Sequence, residues 1–171
     1  MCLYDVDDFA YLADNRFLFE EYCKLYPDEI NQELKDKNVE FVSKVIVAMY
    51  FVAKKLKLIF FSEVIKCIDA ECLDFIIKEE HPLTFIKGIV DFNILSNSCK
   101  EALLRMEIDV IQKEKILCTM KDYDTKQWLN LMKKTLGIDS KYFTKNEIIY
   151  PELKRRNVNC KKIGFTIKFH E

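Results

Sequence analysis

Apolar residues recur at helical spacing along most of the chain. Val6, Phe9, Ala10, Ala13 and Phe17 form one stripe and Leu12, Phe19 and Cys23 a second edge, which predicts one amphipathic helix from about Asp7 to Leu25. Pro27, followed by Asp28 and Glu29, suits the first turn of a short second helix ending near Lys37. Proline lacks the N–H that would be unsatisfied there, and carboxylates favour the positive end of the helix dipole. From Val45 to Ala53 the chain is apolar around a helix's whole circumference, so the third helix, over 39–58, is expected to be surrounded by others. Leu56–Phe61 is read as helix or turn in preference to a short strand.

Ser62 followed by Glu63 predicts the start of a fourth helix reaching Glu79, with Ile65, Ile68, Cys72, Phe75 and Ile76 on its buried stripe. Pro82 opens a fifth of about ten residues. Ser98 and Glu101 have capping-box spacing at the start of a sixth, whose inner face would carry Leu103, Met106, Val110 and Leu117. Asp124 and Gln127 begin a seventh, which Gly137 ends in the left-handed conformation. Beyond it, Thr144 and Glu147 cap at most a short turn before Pro151, and 163–169 runs apolar in the manner of a strand. The expected fold class is therefore mainly α: an irregular bundle of about seven helices over 1–137. A basic and aromatic extension, 138–171, containing one β-strand, packs on or projects from the same domain.

Composition narrows this picture. Half of the residues are hydrophobic and 32% are charged, which excludes a disordered chain, and three glycines and three prolines favour long continuous elements. The longest apolar run has nine residues, where about 20 would be needed to cross a bilayer, so no membrane partner is expected. Seven cysteines, an odd number without repeating spacing, are expected to be reduced. With an acidic N-terminus and no Asn-x-Ser/Thr acceptor, the expected location is the cytoplasm, the nucleus being the alternative. The net charge of −1 hides a gradient: 1–36 carry −7, 37–150 carry +2 and 151–171 carry +4.

Candidate chemistry is sparse. Cys67, Cys72 and His81 are the only Cys/His cluster, but five residues turn a helix by about 140°, so the two thiols would not face one ion. Cysteine–histidine catalysis would have to draw on His81 or His170, and three glycines cannot form a phosphate-cradling loop. Trp128, among Leu129, Leu131 and Met132, is expected in the core. No metal, cofactor or catalytic residue is assigned, and a non-enzymatic protein is expected.

What remains is Lys154, Arg155, Arg156, Lys161, Lys162 and Lys168, interleaved with Tyr150 and further aromatics. Cations neutralise phosphates while aromatic faces stack bases, the mixture that docking on RNA or a ribonucleoprotein requires. The expected function is a binding factor that docks on a larger protein or ribonucleoprotein assembly through a helical surface and this basic segment. A helical adaptor capturing an amphipathic helix of a protein partner is the alternative, and an enzyme with a dispersed site the third reading. Replacing Lys154, Arg155 and Arg156 together is expected to weaken docking while leaving thermal stability nearly unchanged, as exposed bases contribute little to folding.

Overall fold

A computed structural model of the chain describes residues 6–36, 41–137, 141–143, 148–164 and 166–170, without the side chains of 6–8 and 141–143. Among these the protein is mainly helical, with eleven α-helices, one 3₁₀ turn and one small sheet. By internal contacts the chain divides into two compact units, Met1–Phe85 with Ile94–Cys99, and Ile86–Asn93 with Lys100–Glu171. The division falls inside the segment expected to be one helical domain, and the C-terminal strands belong to the same unit as the helices from Val110 onward.

The first unit is built around α4 (Ser43–Leu56), against which α1 (Val6–Asp14), α2 (Arg16–Leu25), α5 (Phe61–Cys67) and α6 (Ala70–Ile76) pack. Val45–Tyr50, Val52 and Ala53 are all buried, as a helix with no polar face requires, and Phe51 is half-buried beneath Arg16. Each such aliphatic side chain contributes about 1.5–3 kcal/mol relative to exposure. Lys57, in the left-handed conformation, ends α4, and the Leu58 N–H closes on the Ala53 carbonyl. Leu56–Phe61 is thus the end of α4, a turn and the start of α5. The helix α3 (Pro27–Asp36) begins at the expected proline.

Eleven helices replace seven because three predicted helices are each divided in two and a further one forms near the C-terminus. Asn15 leaves the helical conformation and divides the predicted first helix into α1 and α2. Asp69 does the same between α5 and α6: its carboxylate accepts from the Cys72 N–H at 2.8 Å, capping a new helix. The α5 helix starts one residue before Ser62, with Phe60 as its N-cap residue. Ile65, Ile68, Cys72 and Ile76 are buried on both sides of the break, but Phe75 is exposed. The proline-initiated α7 (Pro82–Lys87) has six residues, not ten. The predicted sixth helix is two, α8 (Asn97–Leu104) and α9 (Val110–Thr119), and Val110 is exposed. The Ser98 hydroxyl accepts from Ala70 N–H, while Ser96 accepts from Cys99 N–H at the start of α8.

In the second unit α10 (Thr125–Leu136) has the expected ends: Asp124 accepts from Gln127 N–H at 2.8 Å and Gly137 adopts φ 68°. Thr144 and Glu147 lie outside the described residues. Pro151 does not end a turn but sits in the first turn of α11 (Ile149–Arg155), where a missing N–H costs no helical bond. Asn157, at φ 57°, reverses the chain after α11, with its N–H on the Lys154 carbonyl and the Val158 N–H on the Leu153 carbonyl. The expected single strand is an antiparallel pair, β2 (Cys160–Ile163) and β3 (Thr166–Phe169), turning at Gly164. With β1 (Lys141–Phe143) they form a sheet of order β1-β3-β2.

Candidate anion-binding face of the C-terminal unit

The six bases singled out in the sequence separate into an internal and an external group. Arg156 is internal. Its side chain is only 4% exposed; it donates to Glu152 at 2.9 Å, to the Tyr123 carbonyl at 2.7 Å and to the Met120 carbonyl at 2.9 Å. Its guanidinium carbon lies 4.9 Å from the Trp128 ring centre. Trp128 is fully buried and donates to the Leu117 carbonyl, so Arg156 ties α9, α10 and α11 together. The expectation that all three adjacent bases are exposed fails at Arg156, because helical spacing from Glu152 turns it inward.

Arg155, half-exposed, forks onto both oxygens of Glu152, at 3.0 Å to Oε2 and at 2.6 Å to the Oε1 that Arg156 also meets. Burial pushes the Glu152 carboxyl up, but the bonds and charges of the two arginines outweigh this and hold it below the ordinary carboxylate range. Lys154 donates to the Cys160 carbonyl at 2.9 Å, and its ammonium lies 5.4 Å from the ring centre of half-buried Tyr150. Tyr150 is therefore engaged within the unit.

The external group is organised by strand register. Cys160 pairs with Phe169 and Lys162 with Ile167; Cys160 and Ile167 are buried, so this face is internal and Lys162 is half-buried on it. Lys161 pairs with Lys168 on the opposite face, both exposed, and Lys141 pairs with Lys168 from the other side. The register thus sets three lysines in one row, one per strand. The next row is Phe143, Thr166 and Ile163, of which Ile163 is 59% exposed. Like charges directly opposite one another destabilise a sheet by roughly 0.2–1 kcal/mol per pair, yet the three strands contain four lysines and no acid. Lys133, on α10, lies 5.8 Å from the ring centre of Phe169, which pairs with Cys160 on the internal face, so it is not part of this row. Lys141 was absent from the sequence-based set, since only pairing with β3 places it beside the others.

Other polar clusters are internally satisfied. In the first unit the Tyr50 hydroxyl donates to Glu80 at 2.5 Å, and Lys54 forms an ion pair with Glu80 and donates to Tyr50 at 3.3 Å. Burial first, then the Glu80 bond and charge, pushes the Tyr50 phenol far above its ordinary range, so it stays a neutral donor. Burial also pushes the thiol of Cys72 up to about 11 and, with Glu152 and Glu114 adding to it, that of Cys118 up to about 12. Neither is an activated thiolate. No disulfide joins the described cysteines, Cys2 lying outside them; Cys67 and Cys72 are on different helices, and His81 accepts from the Leu83 N–H at the start of α7. No cluster of three or more His, Cys, Asp or Glu among the described residues could hold a metal. No described helix is long and apolar enough to cross a membrane.

The first unit also has an open groove of about 650 Å³, with apolar walls from Phe41, Val42 and Phe75 and a polar margin from Ser43, Lys44 and Glu71. Comparison with protein-family models, with curated proteins and with solved structures finds no match to this chain.

Proposed function

We propose that the protein is a non-enzymatic binding factor that docks on a larger anionic assembly, a ribonucleoprotein or an acidic protein surface, through the exposed face of its C-terminal sheet. The observation that carries this reading is the exposed cross-strand pair Lys161 and Lys168, with Lys141 in backbone register beside Lys168 and no acid in the three strands. A bound polyanion would convert that internal repulsion into attraction and release its own counterions. The test is retention on immobilised heparin across a salt series. Retention that falls with salt and is lost on Lys161→Glu with Lys168→Glu, at unchanged helical circular dichroism, is expected. Equal retention of parent and double variant would remove the sheet face from the reading.

The groove of the first unit favours a second reading, capture of an amphipathic helix by apolar contacts. It predicts protein binding that is insensitive to salt and abolished by Phe75→Glu.

A further inference from the structure

We propose that the anion met by the sheet face is the acidic N-terminal face of a second copy of this chain, so that the protein self-associates through unlike faces. This rests on the reading that the sheet face docks an anion and names that anion. The helix α2 supplies the complementary surface. Phe19, Tyr22 and Cys23 bury its inner side, yet Phe17 and Leu25 are 73% and 70% exposed and Leu18 is half-exposed. The sequence alone puts Phe17 on the buried stripe of one long helix; the break at Asn15 starts a new helix in which it faces outward. Phe17, Glu21 and Leu25 follow one another at four-residue spacing, which sets a carboxylate between two apolar side chains on one stripe. Glu21 meets Lys24 at 3.1 Å, an exposed pair that contributes little in water. Asp28, exposed in the first turn of α3, continues the acidic edge beyond Leu25.

The two faces match in kind. On the sheet, exposed Lys161 and Lys168 have exposed Ile163 in the next row; on α2, carboxylates stand among exposed apolar residues. Residues 1–36 carry −7 and 151–171 carry +4, while the whole chain carries −1, so opposite poles attract without a large net charge to hold copies apart. Three exposed apolar side chains on one helix face mark an interaction surface, where singly scattered ones would not. A nucleic acid or a polyglutamate tract would satisfy the sheet face alone and leave the α2 stripe in water. A second copy covers both.

Sedimentation of the full chain over a concentration series at low and high salt tests this. The parent should associate at low salt and dissociate as salt rises, and heparin, which takes the sheet face, should dissociate it too. Lys161→Glu with Lys168→Glu, and separately Glu21→Lys with Asp28→Lys, should each weaken self-association at least about tenfold at unchanged helical circular dichroism, since each sets like charges against each other. Mixed in equal amounts, the two variants should associate again, because each presents the charge that the other needs. Leu25→Ser, at an exposed site that leaves the fold intact, should weaken self-association with heparin retention unchanged. A parent that stays monomeric at low salt, a charge-inverted or Leu25→Ser variant that associates like the parent, or a mixed pair that stays apart would overturn the proposal. Heparin retention lost on Lys161→Glu with Lys168→Glu would still leave anion docking standing. Absence of both self-association and heparin retention would overturn both.

Discussion

Replacing Arg156 by alanine should destabilise the protein far more than replacing either basic neighbour. The substitution leaves Glu152, 6% exposed, with Arg155 alone, and leaves the Met120 and Tyr123 carbonyls without the guanidinium that joins them to α11. It also empties the space against Trp128. Removing one partner of a buried ion pair costs about 3–5 kcal/mol, since the remaining charge is poorly solvated. At about 2–4 °C per kcal/mol for a chain of this size, the thermal midpoint should fall by roughly 6–20 °C. Lys154→Ala and Arg155→Ala, at exposed positions, should each stay within about 1 kcal/mol. Thermal denaturation of the three single variants, followed by circular dichroism, decides the matter, and Arg156→Ala with Glu152→Gln closes a double-mutant cycle whose coupling should be favourable. A midpoint for Arg156→Ala within about 2 °C of the parent would refute the structural role assigned to Arg156.

Glu152 has a lowered carboxyl pKa in the fold, so its contribution is present above the unfolded value, about 4.3, and is lost as pH falls through the lower folded value; acid titration of stability should be shallower in Glu152→Gln. Tyr50 has a raised pKa, so its contribution is complete below about pH 10 and is lost as pH rises beyond it, and Tyr50→Phe should flatten the alkaline limb of a pH–stability curve. Met49→Asp places an unpaired charge on the fully buried helix α4 and should abolish cooperative unfolding as read by calorimetry. Under native conditions a thiol reagent should modify exposed Cys67 much faster than Cys72 or Cys118, whose burial and raised pKa disfavour the thiolate, as mass spectrometry of labelled peptides would show.

The sequence carried the burial pattern more faithfully than helix continuity. The all-round apolar run of α4 can only be satisfied inside, and it is inside. The stripe through Ile65, Ile68, Cys72 and Ile76 is buried although it crosses a helix break, because periodicity reports which residues face the core and says little about whether the backbone between them is unbroken. At Asp69 a local side-chain bond to the Cys72 amide outcompetes helix continuation. The strand pair was seen as one strand because Gly164 interrupts an apolar run too short to divide by periodicity. The site was legible as a basic cluster but not as a geometry: strand register, which puts Lys141 beside Lys168, is a long-range property.

Adjacent bases in one sequence run can therefore have opposite physical roles, and charge counting alone merges them. Residues 154–156 form a single patch on paper, yet Arg156 is held by four partners within its unit while Lys161 and Lys168, on separate strands, stand in a row facing solvent. A planar fork suits the first role, since it meets a carboxylate, two carbonyls and an indole at fixed angles; compact hydrated ammonium groups on flexible stems suit the second. Neutralising 154–156 together would thus unfold part of the population and lower apparent affinity for any ligand, whatever binds where. Neutralising Lys161 and Lys168 instead should relieve cross-strand repulsion and leave stability equal or slightly raised. Loss of ligand binding with a thermal midpoint that does not fall is the signature of a docking residue, and the lysine row is where it should be found.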